Sequence, residues 1–72
     1  MPVKIRELKA RLRKAGFEVR PGKGSHTVWR HPLAPSIKLT LAGHEGDDAK
    51  PYQVHDVNDA LRSLKEAKGE QG

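Results

Sequence analysis

A chain of 72 residues without cysteine has room for one small domain, and it offers no disulfide, thiol nucleophile or cysteine-based zinc site. Fourteen Lys and Arg against nine Asp and Glu leave a net charge of +5, while no apolar run approaches the roughly 20 residues of a membrane span. The surplus is uneven: residues 1–30 carry nine bases against two acids, a net of +7, and residues 31–72 carry five against seven, a net of −2. A basic half of this kind fits a polyanion such as a nucleic acid, and it is equally the composition of a solubilising surface. The N-terminus lacks an apolar signal core, so a cytoplasmic protein is expected.

In chain order, Pro2 and Val3 lead into an amphipathic helix over residues 4–15, with Ile5, Leu8, Leu12 and Ala15 as its apolar stripe. Gly16 stands where a terminating glycine would, with Phe17 able to pack back on the last turn. Arg6, Lys9 and Arg13 fall on one flank of the stripe and form a candidate phosphate-reading edge. Residues 17–20 alternate apolar and polar as a short strand, residues 21–24 form a turn, and residues 25–31 form a second strand. Alternation groups His26, Val28 and Arg30 on one side and Ser25, Thr27 and Trp29 on the other. Trp29 is then either the core anchor or an exposed stacking platform. Residues 31–36, with two prolines, read as a loop, and residues 37–41 alternate cleanly as a third strand. Residues 42–50 are polar and glycine-containing, hence a loop. Pro51 suits the first turn of a helix running to about residue 68, with Val54, Val57, Leu61 and Leu64 buried and residues 70–72 fraying. The result is one α+β domain spanning residues 1–72: α-β-β-β-α, three antiparallel strands with two helices on one face.

The chemistry concentrates in Lys23-Gly24-Ser25-His26, where a turn becomes a strand. Gly24 lets a phosphate approach closely, Lys23 adds a cation, and His26 can exchange a proton near neutral pH. A histidine base beside cations is the minimum that cleaves RNA through its 2′-hydroxyl, and that chemistry needs neither metal nor deep pocket. The other histidines are weaker candidates. His26, His31, His44 and His55 match no metal-ligand spacing; His31 precedes Pro32 and reads as loop; His55 and Asp59 form a surface i,i+4 pair. No metal or other cofactor is expected.

The helix, then Ala15-Gly16-Phe17, then Lys23-Gly24-Ser25-His26, three strands and a closing helix together resemble the HicA toxins of type II toxin–antitoxin systems. The resemblance spans about residues 4–67. It implies a fold like that of double-stranded-RNA-binding domains, a ribosome-independent mRNA interferase, and an HicB antitoxin that binds and blocks it. It also implies His26 as the catalytic residue, set by Gly24 and Ser25. His44 lies near a second family histidine, but here it follows Leu41-Ala42-Gly43 where many members carry Val-Pro-x-His. Two other readings remain beside the nuclease: a non-catalytic RNA-binding module, and a protein-interaction domain.

Overall fold

The computed structural model describes residues 3–69. Pro2 and the expected frayed end at residues 70–72 lie outside the described residues. The elements are α1 (Ile5–Lys14), β1 (Glu18–Pro21), β2 (Thr27–His31), β3 (Ala34–Leu41) and α2 (Pro51–Ala67). The strands form one antiparallel sheet in the order β1-β2-β3. Among the described residues, no helix is long and apolar enough to cross a membrane.

The apolar stripe of α1 buries Ile5, Leu8 and Leu12. The helix ends as its sequence requires. The Gly16 N–H donates to the Arg13 carbonyl and the Phe17 N–H to the Leu12 carbonyl, at 3.0 Å each, and Gly16 takes a φ of +94°. These two bonds close the helix with a left-handed glycine and bring Phe17 back onto Leu12 in the core. The start of α1 is capped differently. The N–H groups of Ile5 and Arg6 donate to the carbonyls of Asp47 and Glu45, at 2.9 and 3.1 Å. Residues 45–47 thus satisfy donors that a helix leaves orphaned in its first turn. The same loop pairs Lys4 with Asp48.

Trp29 is the core anchor, with no exposed area. Its indole N–H donates to Thr27 Oγ1 at 2.9 Å, which satisfies the one polar atom burial would strand. Around it lie Leu8 and Leu12 of α1, Leu41 of β3, and Val57, Ala60 and Leu64 of α2. Both helices therefore cover one face. At α2, Pro51 opens the helix, and the buried Gln53 donates from Nε2 to the Ala42 carbonyl at 2.9 Å, which ties the helix start to the end of β3.

Two expectations need correction in the segment 31–36. The third strand starts at Ala34 rather than Ile37, because a register shift at Arg30/His31 lets His31 pair with Ala34 across a tight Pro32-Leu33 connection. β3 is an edge strand, where Pro35 is tolerated. His31 is not a loop residue. It is 3% exposed, its Nε2–H donates to the Ala15 carbonyl at 3.0 Å, and its Nδ1 accepts from the Leu33 N–H at 3.1 Å. Its ring meets Phe17 edge-on at 5.1 Å. A neutral imidazole protonated at Nε2 satisfies both bonds at once. A Cβ on Gly16 would stand 3.0 Å from that Nε2, so glycine is required there for space as well as for its φ.

His31→Ala is accordingly expected to destabilise the protein by about 2–4 kcal/mol, since it opens a cavity in the core and takes away the partner of the Ala15 carbonyl and of the Leu33 N–H. Urea unfolding measures this; a midpoint equal to the parent's would show that the bridge between α1 and the β2–β3 connection contributes nothing.

Candidate active site

The turn between β1 and β2 is built around its backbone. The Gly22 N–H donates to the His26 carbonyl at 2.9 Å, and the His26 N–H donates to the Lys23 carbonyl at 3.0 Å. Gly24, first of the two central residues of the inner turn, has a φ of +58°, and among the described residues no non-glycine has a positive φ. That combination marks a II′-type turn, which suits the right-handed twist of a hairpin. A Cβ on Gly24 would meet nothing within 4 Å, so the space above it is open. A Cβ on Gly22 would press against the His26 carbonyl oxygen at 3.2 Å and the His26 Cβ at 3.3 Å. Glycine at 24 thus serves conformation, and glycine at 22 lets the chain close on His26.

The same turn orients the imidazole. His26 Nδ1 lies 3.0 Å from the Lys23 carbonyl oxygen. A carbonyl only accepts, so Nδ1 carries the hydrogen and donates. In the neutral ring Nε2 then holds the free lone pair. The ring is exposed, as are the Lys23 and Gly24 residues beside it, while Ser25 is half-buried. The arrangement presents a proton acceptor to solvent on a short, hydrogen-bonded loop. Lys23, whose ammonium is the cation expected from sequence, also supplies the carbonyl that holds the histidine.

The cations expected to accompany this turn are placed in the other layer. Arg6 is exposed on α1. Lys9 is only 8% exposed, with Nζ 3.8 Å from Glu45 Oε2. Arg13 lies with its guanidinium carbon 5.6 Å from the centre of the Trp29 ring, where a cation is attracted to the aromatic face. Of the three, Arg6 alone has neither an ion pair nor a ring contact.

Thr27 pairs with Leu41, so the chain before β2 and the chain after β3 leave the sheet at the same end. The fold brings His26 and the His44 loop to that end. His44 is exposed, and its N–H donates to Asp47 Oδ2 at 2.9 Å, which organises the loop. His55 stays a surface residue, 3.3 Å from Asp59 across one turn of α2. Among the described residues, no three His, Cys, Asp or Glu side chains group as metal ligands do.

Three basic residues of the sheet come together only through strand register. Trp29 faces the helices, so alternation turns Val28 and Arg30 to the opposite face. Cross-strand register then places Arg20 and Thr40 beside Val28, and Glu18 and Lys38 beside Arg30. The grouping of Val28 with Arg30 was visible from alternation, but their neighbours on β1 and β3 depend on register.

The sequence model of one protein family, described as the HicA toxin of bacterial toxin–antitoxin, matches residues 5–68. No curated protein and no solved structure matches the chain. The matched span contains the whole of the glycine-closed turn and both helices.

The ring geometry has its own test, independent of any reaction. Nitrogen-15 NMR of the neutral His26 ring should show a protonated Nδ1 and a bare Nε2, and Gly22→Val should disturb that signature by pushing the His26 backbone away. A parent ring found protonated at Nε2 would remove the free base from the site.

Proposed function

Because the chain belongs to the family of HicA toxins of bacterial toxin–antitoxin systems, we propose that it is an endoribonuclease that cuts mRNA with His26 as general base. A toxin of this kind is one half of a pair, and we propose an HicB-like antitoxin as its neutralising partner. The observation that carries the catalytic reading is the His26 ring, held by the Lys23 carbonyl at 3.0 Å with Nε2 directed away from that bond on an exposed turn. No other histidine combines these features: His31 spends both ring nitrogens inside the core, and His55 is engaged with Asp59 on α2.

In the proposed reaction, Nε2 takes the proton of a 2′-hydroxyl. That oxygen bonds to the adjacent phosphorus, and the bond from phosphorus to the 5′-oxygen breaks. The leaving oxygen takes a proton from water. The products are a 2′,3′-cyclic phosphate and a 5′-hydroxyl. Lys23 stands beside the base as a cation for the charge that develops on the phosphoryl oxygens, and the open space above Gly24 admits them. Proton transfer to an imidazole needs no metal-bound hydroxide, so cleavage should continue with EDTA present.

His26→Ala should lower RNA cleavage by about 10²–10⁴-fold, the usual contribution of a general base. Its melting temperature should match the parent's, because the ring is exposed and bonded only within its own turn. His55→Ala should cut like the parent. End analysis of the fragments should find cyclic phosphates. A His26→Ala protein that cuts at the parental rate sinks the assignment, and 3′-hydroxyl ends would rule out the 2′-hydroxyl as the nucleophile.

The antitoxin is expected to be acidic where it meets this chain and to cover residues 22–26, since opposite charge speeds association with a basic partner. Hydrogen exchange of the complex should show protection across the turn. Protection confined to α2 would place the inhibitor elsewhere.

A further inference from the structure

We infer that the open face of the sheet is the surface on which a single RNA strand lies, its phosphates held by Arg20, Arg30 and Lys38. The inference rests on the nuclease reading, which supplies the reason for an RNA strand to reach the turn at the end of this face.

The three cations come from three different strands, and register alone assembles them. Arg20 stands across from Val28; Arg30 stands between Glu18 and Lys38. Directly opposed residues on an antiparallel pair have Cβ atoms about 4.5–5.5 Å apart, and like charges there repel. Arg30 and Lys38 form such an opposed pair. Among the described residues, none of the three cations is in an ion pair, not even Arg30 with its neighbour Glu18. The sheet thus sets two like charges in opposed positions without an ion pair to either, and a phosphate between the two side chains would neutralise both.

The helix flank differs in having acids placed against part of it. The loop carrying Glu45, Asp47 and Asp48 is bonded to the first turn of α1, and its acids pair with Lys4 and Lys9. On the sheet face Glu18 stands beside Arg30, and Lys38 borders a groove with Asp56 and Asp59 of α2, with no ion pair formed to either cation among the described residues.

The shape of the face selects the kind of strand. Arg20 and Arg30 border one groove with Glu18, Val28 and the His31–Pro32 bend, and Lys38 borders the next one along β3. Three strands span about 10 Å, wide enough for one nucleic-acid backbone. Same-side residues along a strand repeat about every 7 Å, so the cations form a track that ends at the 23–26 turn, two residues before Val28. Arginine forks grip phosphate oxygens in pairs, and lysine acts as a point charge. No aromatic side chain lies on this face, because Trp29 points into the core. The track therefore holds the backbone of the strand with little preference among bases, unlike a sheet that stacks them.

The test titrates a mixed-sequence 2′-O-methyl RNA oligonucleotide, which lacks the attacking hydroxyl, into the full chain at several salt concentrations. R20Q/R30Q/K38Q should lower the slope of log affinity against log salt by about 2, at about 0.7 per phosphate contact, and weaken binding roughly tenfold or more. R6Q/R13Q should leave the slope near the parent's. If the triple variant folds poorly, R20Q and K38Q singly should each lower the slope by about 0.7. A parental slope in the open-face variants, or a loss that follows R6Q/R13Q instead, overturns the inference. So does an open-face variant that keeps RNA and loses the antitoxin, which would assign the face to an acidic protein. In each of those outcomes a parent that still cuts RNA keeps the nuclease reading; a parent that neither cuts RNA nor binds the oligonucleotide overturns both.

Discussion

The inward placement of Trp29 is the constraint on which the rest of this structure depends. The indole sits mid-sheet with no exposed area and its N–H satisfied by Thr27. Burying a side chain of that size is worth on the order of 4–6 kcal/mol before entropy, a large share of what a domain this small can gain. Because a strand alternates its sides at every residue, committing Trp29 to the helices commits Arg30 and Val28 to the opposite face. Register then carries the decision across to Arg20 on β1 and to Lys38 and Thr40 on β3. One aromatic thus decides which cations face solvent together.

Two histidines show how the same side chain is put to different uses by its hydrogen bonds. His31 spends both nitrogens on backbone partners and joins the end of α1 to the β2–β3 connection. His26 spends only Nδ1, on a carbonyl three residues earlier, and keeps Nε2 for other use. The first is packed against Phe17 and closed to solvent; the second rides on a turn whose glycines admit a close neighbour. Hydrogen bonding, not residue type, separates the two rings.

The polar loop after β3 is a structural part as much as a connection. Its backbone carbonyls cap α1, its acids hold Lys4 and Lys9, and Asp47 fixes its own bend through the His44 N–H. The acidity of the second half of the chain is therefore partly consumed by the basic first helix. Among the described residues, Arg6, Arg11, Arg13 and Lys14 of α1 stay outside those pairs, as do Arg20, Lys23, Arg30 and Lys38 of the hairpin and sheet.

Much of the fold was legible in the sequence because it is local. The stripe of Ile5, Leu8 and Leu12, the glycine stop at Gly16 with Phe17 folding back, Pro51 at the head of α2, and the presence of a turn before β2 all rest on contacts within a few residues, although that turn closes at residues 23–26 and β2 starts at Thr27 rather than Ser25. Gly24 and His26 could be singled out for the same reason: the bond that orients the ring spans three residues. Tertiary structure decided the rest. Alternation grouped Val28 with Arg30, but it could not say which side the helices cover, and so left Trp29 open. Nothing near His31 in sequence announces its bond to Ala15, sixteen residues away. The pairing of Lys9 with Glu45, and the meeting of Arg20, Arg30 and Lys38, depend on loop closure and strand register. Those are properties of the assembled sheet, set when its hydrophobic face is buried, and no short window of residues contains them.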